Sequence, residues 1–142
     1  MAEIVTTQFG RIEYDERAVI HFPCGLPGFE NRTRFLLIER PTTRPLVFLQ
    51  SIDSSNLCLV TAPVNAIDPQ YHLAMTPEDQ QTISQAQEPL CLFILSEGEK
   101  GWTANMLAPV VINKEAGIAV QAVRADSLYS HQHPLTEARP CS

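Results

Sequence analysis

The chain has 142 residues, of which 44% are hydrophobic, 18% charged and 7% aromatic, the proportions of an ordinary globular domain and not of a disordered, fibrous or membrane-embedded chain. At this length one domain buries roughly 68–70% of the surface its unfolded chain exposes, so no disulfide or metal is needed to hold a core. The 10 Lys and Arg against 16 Asp and Glu leave a net charge of -6, a field that repels nucleic-acid phosphates, and no basic patch reverses it, since Arg32 and Arg34 sit between Glu30 and Glu39.

Residues 4–14 read as a strand, a break at Gly10 and a second strand in which Ile12 and Tyr14 alternate with Arg11, Glu13 and Asp15. Residues 18–22 form a short strand that stops at Pro23-Cys24-Gly25-Leu26-Pro27-Gly28. Two prolines and two glycines cannot continue a ladder there, and Pro27-Gly28 suits the centre of a type II turn. Residues 35–39, 46–52, 57–62 and 90–96 follow as four further strands. The segment before the last of them carries a helix over about 77–86, because Thr76 can cap it, Pro77 takes the first helical position and Asp79 stands three residues after the cap. Its apolar stripe is only Ile83 and Ala86, so it covers a sheet face or barrel rim. Residues 110–112 and 118–123 are the last strands, joined as a hairpin by Asn113-Lys114-Glu115-Ala116-Gly117. The expected fold is mostly β: a small antiparallel β-barrel-like single domain with one short covering helix.

The four cysteines, Cys24, Cys58, Cys91 and Cys141, match no zinc or haem spacing and read as reduced thiols, Cys58 and Cys91 as small buried hydrophobes in apolar strands. The N-terminus lacks the charged and apolar regions of a secretory signal, and no apolar stretch is long enough to span a bilayer. A cytoplasmic protein with no membrane association is expected. The G-x-S-x-G, H-E-x-x-H, G-x-x-x-x-G-K-[ST] and G-x-G-x-x-G signatures are missing, which points away from an enzyme and calls for no cofactor. His131 and His133 could share a strand face, but with no carboxylate or cysteine near them they read as solvated tail residues, and no metal site is expected. His21, beside Phe22, reads as a structural histidine. Gly25-Leu26-Pro27-Gly28 has the form of a phosphate-clamping G-x-x-G loop, yet Pro27 removes an N–H and Glu30 adds negative charge, so a structural turn is the better reading. Glu13, Asp15 and Glu16 read as a solvated strand edge, or as a face that steers a basic protein partner.

Three segments carry a family resemblance. Phe9-Gly10-Arg11-Ile12-Glu13-Tyr14, then Ile20-His21-Phe22-Pro23-Cys24-Gly25-Leu26-Pro27-Gly28-Phe29-Glu30, and Thr103-Ala104-Asn105-Met106-Leu107-Ala108-Pro109-Val110-Val111-Ile112-Asn113 resemble the bacterial flagellar assembly factor FliW family. Pro45-Leu46-Val47-Phe48-Leu49-Gln50-Ser51 and Tyr71 also fall where that family has a Pro, a hydrophobic strand ending in Gln-Ser, and a Tyr. The likeness implies one domain over 1–135 and a flexible C-terminal tail over 136–142. It further implies a non-enzymatic regulator with two protein partners: flagellin, bound in the cytoplasm, and the RNA-binding regulator CsrA, whose repression of flagellin mRNA is lifted on binding. On this reading the chain touches no nucleic acid directly and is a monomer when free. Partner contacts are expected at Leu26, Pro27, Phe29 and Glu30 and at Trp102, Asn105, Met106, Ala108 and Pro109. Trp102 reads equally as an interface anchor or as a strand residue covering the core edge, and Asn105 can instead bond backbone at a strand irregularity. Met106 stands where the family commonly has Leu, and residues 63–68 match it poorly. The alternative to this reading is a β-barrel ligand carrier or enzyme with a buried polar pocket.

Overall fold

The computed structural model describes residues 2–83, 88–123 and 129–135. The chain opens with a hairpin, β1 (Ala2–Thr6) and β2 (Gly10–Tyr14), turned at a left-handed Gly10. Its residues alternate as a half-covered ribbon should: Ile4, Ile12 and Tyr14 are half-buried, while Glu3, Val5, Arg11 and Glu13 face water. The Thr7 N–H donates to the Ser55 carbonyl at 3.1 Å. Phe9 meets Phe48 edge to face with ring centroids 5.3 Å apart, under the Arg40 guanidinium.

Seven strands then hydrogen-bond in chain order, each antiparallel to the next: β3 (Ile20–His21), β4 (Arg34–Glu39), β5 (Val47–Ser51), β6 (Cys58–Pro63), β7 (Leu90–Gly98), β8 (Gly101–Asn113) and β9 (Ile118–Gln121). An odd number of alternating strands leaves the first and last running the same way. The barrel therefore closes through a parallel pair, His21 opposite Ile118. Inside it pack Phe22, Phe35, Leu49, Leu92, Val110 and Ile112. Every residue of β5 is buried, because Val47 and Leu49 face the barrel interior while Phe48 meets the β1–β2 hairpin.

The strand expected at 18–22 is shortened to Ile20–His21, since Asp15 accepts from the Arg17 N–H and caps a single 3₁₀ turn over Glu16–Ala18. His21 is exposed on the barrel wall and is not the structural histidine expected; its N–H donates to the Gly117 carbonyl at 2.7 Å. The expected hairpin between β8 and β9 forms, with Gly117 left-handed and its N–H bonded to the Asn113 carbonyl. β8 is far longer than the expected 110–112. Its first half extends past the barrel, paired with the end of β7 and with β10 (His133–Pro134). Between its two halves the register slips, from Leu92 opposite Val110 to Ile94 opposite Asn105. Residues 106–109 form the bulge, and Pro109, which has no N–H to give a ladder, sits within it.

A second core of Phe93, Leu95, Ala104 and Met106 lies beside a one-turn helix, α1 (Val64–Ile67), and beside Tyr71, Tyr129 and Leu135. The expected helix begins as read: α2 (Pro77–Thr82) is capped by Thr76, whose hydroxyl accepts from the Asp79 N–H at 3.0 Å. Ile83 is fully buried against Val111, Val120 and Ala122. The rest of that expected helix, Cys141 and the 136–142 tail lie outside the described residues. No helix among the described residues is long and apolar enough to cross a membrane.

Candidate functional site

The loop after β3 is built to be rigid. Phe22 anchors it in the barrel, and its carbonyl accepts from the Gly25 N–H at 2.8 Å. Gly25 adopts a φ of 67°, and a Cβ there would stand 2.6 Å from the Glu30 Cα, so only glycine lets the two sides of the loop meet. Leu26 turns inward and joins the barrel core. The Phe29 N–H donates to the Leu26 carbonyl at 2.7 Å with Gly28 at φ 87°, the type II turn expected of Pro27-Gly28. The Glu30 carboxylate accepts from the Gly28 N–H at 3.1 Å. The outer surface thus presents Pro27, Phe29 and Glu30, with the Phe29 ring 42% exposed.

The second expected contact segment is an internal joint. Met106, Ala108 and Pro109 are buried, and several backbone groups of the bulge they form are bonded by partners from other parts of the chain. The Asn105 side chain accepts from the Leu107 N–H at 3.1 Å, the backbone-bonding role open to it at a strand irregularity. Tyr71 donates its hydroxyl to the Met106 carbonyl at 2.6 Å, and the Met106 N–H donates to Ser130. Gln121 gives its amide to the Ala108 carbonyl at 2.9 Å, and the Ala122 N–H reaches the Pro109 carbonyl at 2.8 Å. For Leu26, Met106, Ala108 and Pro109 the expectation of surface contact is therefore corrected: their side chains fill the interior and have no face to offer a partner. Asn105 is half-buried. Trp102 lies near the tip of the β7–β8 hairpin, 40% exposed among exposed Glu97, Glu99 and Lys100.

Gln121 joins the two segments. While its amide holds the bulge, it also lines a half-open cavity of about 250 Å³ with Cys24, Pro27 and Glu30 from the loop and Asp79 and Thr82 from α2. Ala119 and Val120 of β9 complete its wall. Asp79 and Gln121 carry no sequence signal of a site, because nothing local in the sequence says that α2 and β9 pack beside residues 24–30.

The ion pairs among the described residues lie elsewhere: Arg11 with Glu3, Arg17 with Asp15 at 2.9 Å, and Arg34 with Asp53 at 2.8 Å. The Arg17 guanidinium and backbone N–H hold the Asp15 carboxyl at about 2. Burial pushes Asp53 up, but bonds from the Arg34 side chain and from the Arg34 and Thr33 N–H groups outweigh it and keep the carboxyl below its ordinary range. Cys24 is exposed, whereas Cys58 and Cys91 are half-buried, less enclosed than expected; burial still pushes the Cys58 thiol up to about 11 and raises that of Cys91. Among the described residues no group of three or more His, Cys, Asp and Glu could hold a metal ion.

Comparison with known proteins matches residues 3–135 to the family model described as FliW protein. The flagellar assembly factor FliW of Syntrophomonas wolfei is 36% identical over 137 residues, 94% of this chain and 88% of that one. The factor of the same name from Geotalea uraniireducens is 32% identical, covering 95% and 85%, and that of Bacillus subtilis 28% identical, covering 93% and 95%. A solved crystal structure of a flagellar assembly factor FliW superposes with a TM-score of 0.85 at 27% identity, over 93% of this chain and 95% of the other.

Proposed function

The chain belongs to the FliW family, and from that premise we propose that it is a flagellar assembly factor that acts by binding and not by catalysis. It binds flagellin in the cytoplasm, and when flagellin is scarce it captures CsrA and relieves the repression of flagellin mRNA. The observation that carries this reading is the family match along residues 3–135, which includes the rigid 24–30 loop as well as the barrel. The net charge of -6 supports it, since opposite fields speed encounter with an RNA-binding partner and disfavour direct contact with RNA. A partner switch of this kind follows from mass action: flagellin and CsrA divide the protein according to concentration and affinity.

The alternative, a ligand carrier or enzyme using the barrel's interior, needs a polar cluster there. Phe22, Phe35, Leu49, Leu92, Val110 and Ile112 occupy that space. Of the buried polar side chains Gln50 and Thr61, the Gln50 amide nitrogen donates to the carbonyls of Ser51, Ser55 and Leu57 and the Thr61 hydroxyl to that of Val47, while the Gln50 side-chain oxygen has no partner among the described residues; one such atom is not a polar cluster.

Size-exclusion chromatography with light scattering tests the reading. The chain and CsrA are expected to co-elute as a complex that added soluble flagellin dissolves. A folded chain that binds neither protein would sink the proposal.

A further inference from the structure

We propose that the cavity between the 24–30 loop, α2 and β9 receives an arginine side chain from a basic protein partner. This rests on the binding role given above and names its site. The polar side chains that line the cavity are chiefly acceptors, with the Cys24 thiol a weak donor among them. Gln121 gives one of its two amide hydrogens to the Ala108 carbonyl and keeps its oxygen as an acceptor. The Thr82 hydroxyl donates to the Glu78 carbonyl at 2.9 Å, which leaves its lone pairs. Glu30 and Asp79 add two carboxylates, and neither forms an ion pair among the described residues. Among the described residues no Lys or Arg lines the space.

With two carboxylates among its acceptors, such a lining favours a positively charged ligand rich in donors, with an apolar stem to lie along Ala119 and Val120. A guanidinium answers it better than an ammonium, because its planar fork of five N–H groups is weakly hydrated and reaches acceptors on several sides at once. At about 250 Å³ the cavity is smaller than the roughly 300–1,000 Å³ of small-molecule sites; it suits one side chain delivered on a larger surface. Phe29 of the same loop, 42% accessible, offers that surface an apolar footing. The wider cleft of about 420 Å³ lined by Arg17, Glu39 and Lys114 carries both signs of charge and favours no such ligand.

Two measurements on the full chain test the assignment. N-acetyl-arginine amide, titrated into isotope-labelled protein, shifts the amide resonances of Gly25, Gly28 and Ala119 to Gln121. In the double variant Glu30→Gln, Asp79→Asn those shifts shrink at least tenfold, and N-acetyl-norleucine amide gives none. Calorimetry with CsrA then shows the double variant binding at least tenfold more weakly than wild type. A control, Glu97→Gln with Glu99→Gln, carries the same change in net charge at the β7–β8 tip and stays within twofold. Both substitutions keep an acceptor in place, so melting temperatures are unchanged. Equal CsrA binding by wild type and double variant overturns the cavity and leaves the proposed function standing. Arginine-probe shifts in a chain that binds no CsrA overturn the proposed function and leave the cavity. Absence of probe shifts in the wild type overturns the cavity outright.

Discussion

Gly25 and Gly28 carry the same loop and differ in what surrounds them. Gly25→Ala places a methyl 2.6 Å from the Glu30 Cα and keeps a positive φ. It is expected to cost more than the roughly 1–3 kcal/mol of backbone strain alone, read as a fall in urea midpoint. Gly28→Ala has open space around its Cβ and costs no more than that strain. This much was legible from Pro27-Gly28 as a turn. What the sequence does not display is the inward aim of Leu26 and Met106, both buried, because inside a motif a core residue and a contact residue look alike. Met106→Glu consequently acts on the fold: it buries a carboxylate without a partner and is expected to cost about 3 kcal/mol or more, so loss of partner binding in that variant would report unfolding. Among thiols, exposure and burial set an order. A maleimide at neutral pH is expected to label Cys24 before Cys58 or Cys91, whose thiols burial keeps protonated, as peptide mass mapping would read.

At the level of elements, β8 shows where periodicity stops being informative. Residues 101–109 lack the plain alternation of a strand, because their neighbours change along the way: β10 and the β7 tip first, the interior of the bulge next, the barrel last. Val110 to Ile112, with neighbours on both faces, gave the clear apolar run. The bulge depends on acceptors and donors that come from far along the chain, Tyr71 and Gln121 among them, and no local pattern records such partners. Asn105 is the exception, since its bond to the Leu107 N–H is local. Asn105→Ala leaves that half-buried N–H without its acceptor and is expected to cost about 1–3 kcal/mol, seen as a lower melting temperature before any change in partner affinity. The α2 cap was legible for the same reason, its bond spanning only Thr76 to Asp79, and Thr76→Ala is expected to cost about 1 kcal/mol.

Across the whole molecule, the barrel class followed from short strands punctuated by Pro, Gly and Asx residues, while the partners of each strand, and the place of the β1–β2 hairpin on β5, required tertiary contacts such as Phe9 on Phe48. Acid stability is a property at this scale. Asp15 and Asp53 both have folded carboxyls held below the ordinary carboxylate range, so their contribution is complete above that range and is lost as pH falls through it, down to about 2 for Asp15. Urea midpoints should therefore decline between pH 5 and 2, and Asp53→Asn should flatten part of that decline. The parallel closure of β9 on β3 also governs the order in which a new chain can finish. The barrel's first strand is synthesised early and waits for its last, so a ribosome-bound chain that has emerged only through β8 holds an open sheet with bare edges, the form most able to pair with its own copies. A chain truncated before Ile118 should reproduce that intermediate as a soluble aggregate in light scattering, which makes the four residues of β9 the step that ends vulnerability during synthesis.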